Sequence, residues 1–162
     1  MRHLSEVIKK IDFDDNIAIQ ELFFTFNVSN FDHYLTPDEY NNEDLICYSD
    51  VKNDPMKEKK FNSISSKFFE LYNRLYILSV GNISILIDGV IQDEVSDGKY
   101  NLALSNAMKE KPLCGFLFYN LGLYVMTGYD LTHSFYMLKN KVHLLEEVNS
   151  IIKLSGLFIL DL

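Results

Sequence analysis

Three short apolar runs, at 116–120, 123–127 and 134–138, follow one another with only Gly122, Gly128 and a few other residues between them. Parallel strands need a crossover of about a dozen residues or more, usually a helix, and these connections are too short to supply one. The runs are therefore expected to pair antiparallel, which disfavours a doubly wound parallel fold.

Helical signals surround this β region. Asp54-Pro55 reads as an N-cap followed by a first-turn proline. Phe61, Ile64, Phe68, Leu71, Tyr72 and Leu75 keep helical spacing, predicting a long helix over about 56–75. Leu4, Val7, Ile8 and Ile11 predict a short helix over 2–11. Asn101 as a cap and Pro112 as a stop predict another over 101–111. Val142, Leu145, Val148 and Ile152 predict a last helix, with Gly156 at its C-cap.

Further strands are expected at 17–28, where Leu22, Phe24, Phe26 and Val28 alternate, and at 45–48. Others are expected at 76–80 and 83–91, about a turn at Gly81-Asn82. Asp97-Gly98 reads as a turn, and the apolar run 157–160 should be paired inside the sheet. Residues 29–44 are polar and acidic and read as a long loop, a type of segment that is usually functional or mobile. The sum is one α+β domain over residues 1–162, a mainly antiparallel sheet with three to four helices.

With 162 residues, 48% of them hydrophobic, the chain can bury about 70% of its unfolded surface without a disulfide or metal staple. Neither a secretory leader nor an apolar run of membrane-spanning length is present in the sequence, so a cytoplasmic protein with reduced Cys47 and Cys114 is expected. The sequons at Asn27 and Asn82 mean nothing without secretion.

The net charge of −8 argues against nucleic-acid binding, which needs a basic surface to displace counterions. Its placement says more. Residues 12–54 hold eleven acids against the single basic residue Lys52, a local charge of −10, which leaves +2 for the rest of the chain. A solvated, solubilising face is one reading of this stretch. A docking surface for a basic protein is the other, with Asp32, Asp38, Glu39, Glu43 and Asp44 as its charges. Tyr34 and Tyr40 are interleaved with them, and tyrosine is enriched at binding hot spots. Acidic side chains on a rigid scaffold suit the covering of a basic nuclease site, where they take the place of phosphates.

Catalytic patterns are missing: there is no G-x-S-x-G elbow, P-loop, dinucleotide fingerprint or H-E-x-x-H. Ser150 and Lys153 match S-x-x-K by letter, without its companion motifs. His143 and Glu146 share a helical face but find no further ligands. Asp12, Asp14, Asp15 and Asn16 hint at calcium, yet lack the glycine and distal glutamate of a calcium loop. His33 beside Asp32 sits where it can titrate near neutral pH. No catalytic residue, cofactor or metal is expected.

A small acidic α+β chain without enzymatic motifs, rich in lysine and asparagine (13 and 14) and poor in arginine (2), resembles the immunity proteins of bacterial contact-dependent growth inhibition systems. That resemblance covers the whole chain in style and implies a non-enzymatic protein that binds and blocks one cognate toxin domain, often a nuclease. A small-molecule-binding or enzymatic α+β domain, and an interaction adaptor of a phage or secretion system, are the alternatives.

Overall fold

The computed structural model describes residues 3–43 and 45–161. Within them the chain runs α1 (His3–Lys10), α2 (Asn16–Leu22), β1 (Phe23–Ser29), α3 (Pro37–Asn42), α4 (Pro55–Leu78), β2 (Ile83–Ile87) and β3 (Val90–Gln92). It continues α5 (Asp97–Met108), β4 (Gly115–Phe118), β5 (Leu123–Met126), β6 (Thr132–Leu138), α6 (Leu145–Leu154) and β7 (Phe158–Asp161). All seven strands form one sheet in the order β3-β2-β4-β5-β6-β1-β7, and every neighbouring pair is antiparallel. The antiparallel α+β class expected from the short connections is the class observed, with six α-helices among the described residues.

Helix α4 begins where its sequence says it should. The Asp54 side chain accepts from the Met56 and Lys57 amides, and Pro55 fills the first turn. Its six expected apolar residues, from Phe61 to Leu75, are all buried. They pack on one sheet face with Phe26 and Val28 of β1, Phe135 and Met137 of β6, Leu123 and Val125 of β5, and Phe116 and Phe118 of β4. Burying each such side chain stabilises the fold by about 1.5–3 kcal/mol relative to exposure.

The opposite face is covered over only part of its area. Leu4 and Ile8 of α1 and Ile19 of α2 pack there against Phe23, Leu117, Tyr124 and Leu138. The β1–β6 register continues this face from the pairs Phe23–Leu138 and Thr25–Tyr136 to Asn27–Ser134 and Ser29–Thr132. Along two adjacent strands the face thus turns from apolar to polar, and the polar half has no helix over it among the described residues.

Several expectations are corrected. Residues 17–22 are helical because Asp15 caps α2, accepting from the Ile17 and Ala18 amides; the strand begins only at Phe23. Residues 45–48 make no strand: Leu45 and Ile46 are buried, and the Ile46 and Cys47 amides donate to Asp50 instead of to a neighbouring strand. Residues 76–78 complete α4, and 79–80 belong to the turn that ends it. The hairpin turns at Asp88-Gly89, both at positive φ, which suits the twist of a two-residue connection, and not at Gly81-Asn82. Helix α5 starts at Asp97, four residues before Asn101, with Ser96 as its cap. β7 is paired as expected, but with β1 alone, at the edge of the sheet. Both cysteines are free, Cys114 buried and Cys47 half-buried.

One polar contact lies inside the apolar layer. The Tyr72 hydroxyl of α4 is 2.8 Å from His133 Nδ1 of β6, and the Phe68 ring stacks on the imidazole at 4.3 Å. Burial pushes His133 down to about 3, so it is neutral in the folded protein. An unfolded chain takes up this proton near 6.5. Stability present above pH 6.5 is therefore lost as pH falls from 6.5 towards 3, with a slope approaching 1.4 kcal/mol per pH unit, roughly, for one proton. Comparing His133→Leu with the parent by urea unfolding between about pH 6.5 and 5, above most carboxylate titration, should show a flatter slope in the variant. Parallel slopes would place His133 in contact with water.

Candidate partner-binding groove

Residues 30–43 arch beside the polar half of the second face. The arch is tied to the sheet at its start: the Asn30 amide donates to the Leu131 carbonyl at 3.1 Å and the Phe31 amide to Ser29 Oγ at 3.1 Å. Beyond this point its local shape rests on its own bonds, with Tyr34 meeting Asn27 of β1 and Glu43 meeting Lys60 of α4 as its outside ties. Thr36 and Glu39 form a reciprocal capping box, in which Thr36 Oγ1 accepts from the Glu39 amide and Glu39 Oε2 accepts from the Thr36 amide at 2.9 Å. Pro37 occupies the first turn of α3, and no residue of this helix is buried.

His33 locks the approach to α3. Its Nδ1 lies 2.6 Å from Asp32 and its Nε2 3.0 Å from Glu39. Both nitrogens face carboxylates, so the ring donates to both only when protonated. Hydrogen bonding to Asp32 first, and then to Glu39, raises the His33 pKa above its ordinary 6.5. The Thr36 amide, then the Thr36 hydroxyl and His33, lower Glu39 from 4.5 to about 2.

Between this arch and the connection 127–131 lies a groove of about 430 Å³. Asn27, Ser134 and Leu160, side by side on β1, β6 and β7, floor it, Tyr34 and Tyr40 form one wall, and Tyr129 and Asp130 form the other. The Asn27 Nδ2 donates to the Tyr34 hydroxyl at 3.0 Å. Burial raises the Asp130 carboxyl above the usual range. Burial, and after it the charge of Asp130, raises the Tyr40 phenol, so the two walls feel each other across the groove. A second cavity of about 270 Å³ adjoins the first, sharing Gly128, Tyr129 and Ser134. At its floor Gly115 has no side chain because the Tyr124 ring occupies that space, and a Cβ would meet it at 2.5 Å.

The structure brings most of the expected residues together. Tyr34 and Tyr40 line the groove at 50% and 48% exposure. Asp32, Asp38 and Glu43 are exposed on the same arch, with Glu43 3.8 Å from Lys60. Glu39 is also exposed, but it is committed to the cap and to His33. Asp44 lies outside the described residues. Asn27, Tyr129, Asp130 and Ser134 were not expected at a site; only the placing of Asn27 between Phe26 and Val28 in an apolar strand signals it in the sequence. The remaining acid cluster has a local role, since Asp12 accepts from the Asp14 amide and Asp15 caps α2. Ser150 Oγ donates to the Glu146 carbonyl one turn back.

No helix among the described residues is long and apolar enough to cross a membrane. No family model, no curated protein and no solved structure matches the chain.

The histidine and the glutamate of the arch have opposite pH windows. The contribution of His33 is fully present below pH 6.5 and is lost as pH rises through its raised pKa; that of Glu39 is present above 4.5 and is lost as pH falls towards 2. In a proton–carbon NMR titration His33 should therefore titrate above 6.5, and Glu39→Gln should move it back towards that value. A midpoint below 6.5 in the parent protein would mean that the ring is not held between the two carboxylates.

Proposed function

We propose that the chain is a non-enzymatic immunity protein that binds a basic toxin domain, a nuclease in the first instance, through its acidic arch. The observation that supports this reading most directly is that α3 is capped, ordered and buries nothing. A segment that adds no core area and still fixes its backbone suits a presenting role. The arch that carries it presents exposed carboxylates, Asp38 in the helix with Asp32 and Glu43 to either side, beside two half-exposed tyrosines.

This composition matches what a basic site selects. Opposed potentials speed encounter, while rigid aromatic side chains supply contact area at low entropic cost. A nuclease active site arranges cations to receive phosphates, and carboxylates carried on a rigid arch can occupy those positions without being cleaved. Under this reading the protein acts by obstruction, and it needs neither a catalytic residue nor a cofactor. Direct contact with nucleic acid or membrane has no part in it.

Co-expression with the toxin-like C-terminal domain of a neighbouring gene should restore growth that this domain alone arrests. The purified complex should associate about tenfold more slowly when salt rises from about 50 to 500 mM. The double reversal Asp38→Lys with Glu43→Lys should slow association by about tenfold with little change in dissociation. Both positions are exposed, so melting should stay within about 1 kcal/mol of the parent. Association indifferent to both salt and reversal, or toxicity that persists beside abundant folded protein, would remove the basis for the proposal.

A further inference from the structure

Asn27 lacks a hydrogen-bond partner that its burial calls for, and Asp130, whose carboxylate accepts from its own amide and that of Thr132, lacks a counter-charge. Asn27 is only 9% exposed; its Nδ2 reaches Tyr34, while its Oδ1 accepts no hydrogen bond from any described residue. Turning the amide over would exchange the two atoms and still leave one without a partner. Buried amide groups are normally satisfied, and one that is not calls for an explanation. Asp130, on the opposite wall, is half-buried and forms no ion pair with any described lysine, arginine or histidine. Desolvation holds its carboxyl above the usual range, as befits an anion without a counter-charge.

The remaining lining narrows the occupant. Tyr34, Tyr40 and Tyr129 offer ring surface, the last at 65% exposure, and Ser134 offers a hydroxyl. His33 lines the groove too, but its ring is already paired with Asp32 and Glu39, so Asp130 is left to call for positive charge, the Asn27 amide oxygen for an N–H donor and the rings for a flat face. A phosphate or carboxylate would be repelled by Asp130. A lysine ammonium brings charge but no plane. A guanidinium has five donors in a fixed fork and stacks on aromatic rings.

We propose that the groove between α3 and the connection 127–131 receives one arginine side chain of the basic partner, its guanidinium bridging the Asp130 carboxylate and the Asn27 amide oxygen between the tyrosine walls. The arginine belongs to the toxin domain only if the reading above holds; the subsite itself is defined by this chain. Tyr34 is the cover: its ring must turn off the Asn27 amide to admit the guanidinium, and its half-exposed position leaves it room to do so. The arch then has two kinds of contact. Asp38 and Glu43 steer from outside the groove, while Asp130 and Asn27 retain from within it.

The test uses the full chain and three small probes, Nα-acetyl-arginine amide, Nα-acetyl-lysine amide and Nα-acetyl-citrulline amide, the last a neutral near-isostere of the first. Proton–nitrogen NMR spectra should show saturable shifts of the Asn27 side-chain amide and the Tyr129 and Asp130 backbone amides with the arginine probe, at a Kd on the order of 10 mM. Citrulline and lysine probes should bind about tenfold more weakly or not at all, and Asp130→Asn should weaken arginine by about tenfold. Asp130→Asn removes a desolvated charge and keeps an oxygen to accept from the Asp130 and Thr132 amides, so the variant should melt close to the parent; Asn27→Leu gives a second route to the same loss. An absence of saturable shifts, equal binding of citrulline or lysine, or undiminished binding in folded Asp130→Asn would each overturn the assignment. A failure here leaves the steering role of Asp38 and Glu43 standing, because those residues do not line the groove. Conversely, an arginine subsite can be measured even if no toxin is neutralised. In the complex the two sets separate kinetically, with Asp130→Asn raising the dissociation rate and the charge reversals lowering the association rate.

Discussion

A sheet has two faces, and this chain has only enough helix to cover one of them fully. The constraint starts with α4, whose 24 residues span about 36 Å at 1.5 Å per residue, and which carries the largest share of the apolar side chains facing the sheet. Its Tyr72 and Phe68 enclose His133 from β6, so the helix is keyed to one strand by a directional contact as well as by area. With α4, α5 and α6 committed to that side, the short α1 and α2 remain to pack on the other, where the six-residue α3 only walls the groove. They seal the end where Phe23 and Leu138 lie, and they stop there. The polar end of β1 and β6 and the arch beside it follow from that shortage.

The acidic composition of residues 12–54 is divided between two kinds of work. Asp12, Asp15, Glu39, Asp50 and Asp54 each accept a backbone amide, at helix starts or in turns. These charges are internal to the folding of the segment, since an anion at the first turn of a helix satisfies amides that have no partner within it. The carboxylates left out of such bonds are fewer, and on the described part of the arch they are Asp32, which His33 holds, Asp38 and Glu43. A solvated surface and a docking surface are thus not competing accounts of the whole stretch. Much of it consists of caps, and the exposed remainder is concentrated beside the groove.

How much of this the sequence discloses depends on the range of the interaction concerned. The cap and spacing of α4 and the run of strands from 115 to 138 are local patterns, and they are legible. Short apolar runs are not, because a run of four to eight residues fits a strand, a helix end or a buried turn equally well. Residues 17–22, 45–48 and 76–80 are such runs, and at the first and third a capping or terminating interaction decides between helix and strand. For the site, Tyr34 and Tyr40 are legible as aromatics in an acidic loop. Asp130 is not, because it is brought beside them only by the pairing of β1 with β6; the bond between Ser29 and Thr132 spans 103 positions of chain. No local pattern records a convergence of that length.

The place of β7 at the edge of the sheet has a consequence for timing. Leu160 lines the groove beside Asn27, and it reaches that position only when β7 adds to β1. On a ribosome the arch, the polar strand and α4 are all synthesised before β7, and they can fold while the later strand is still inside the exit tunnel. A nascent chain at that stage carries the acidic arch but not the finished floor of the groove, which is complete only once β7 has left the tunnel and paired with β1.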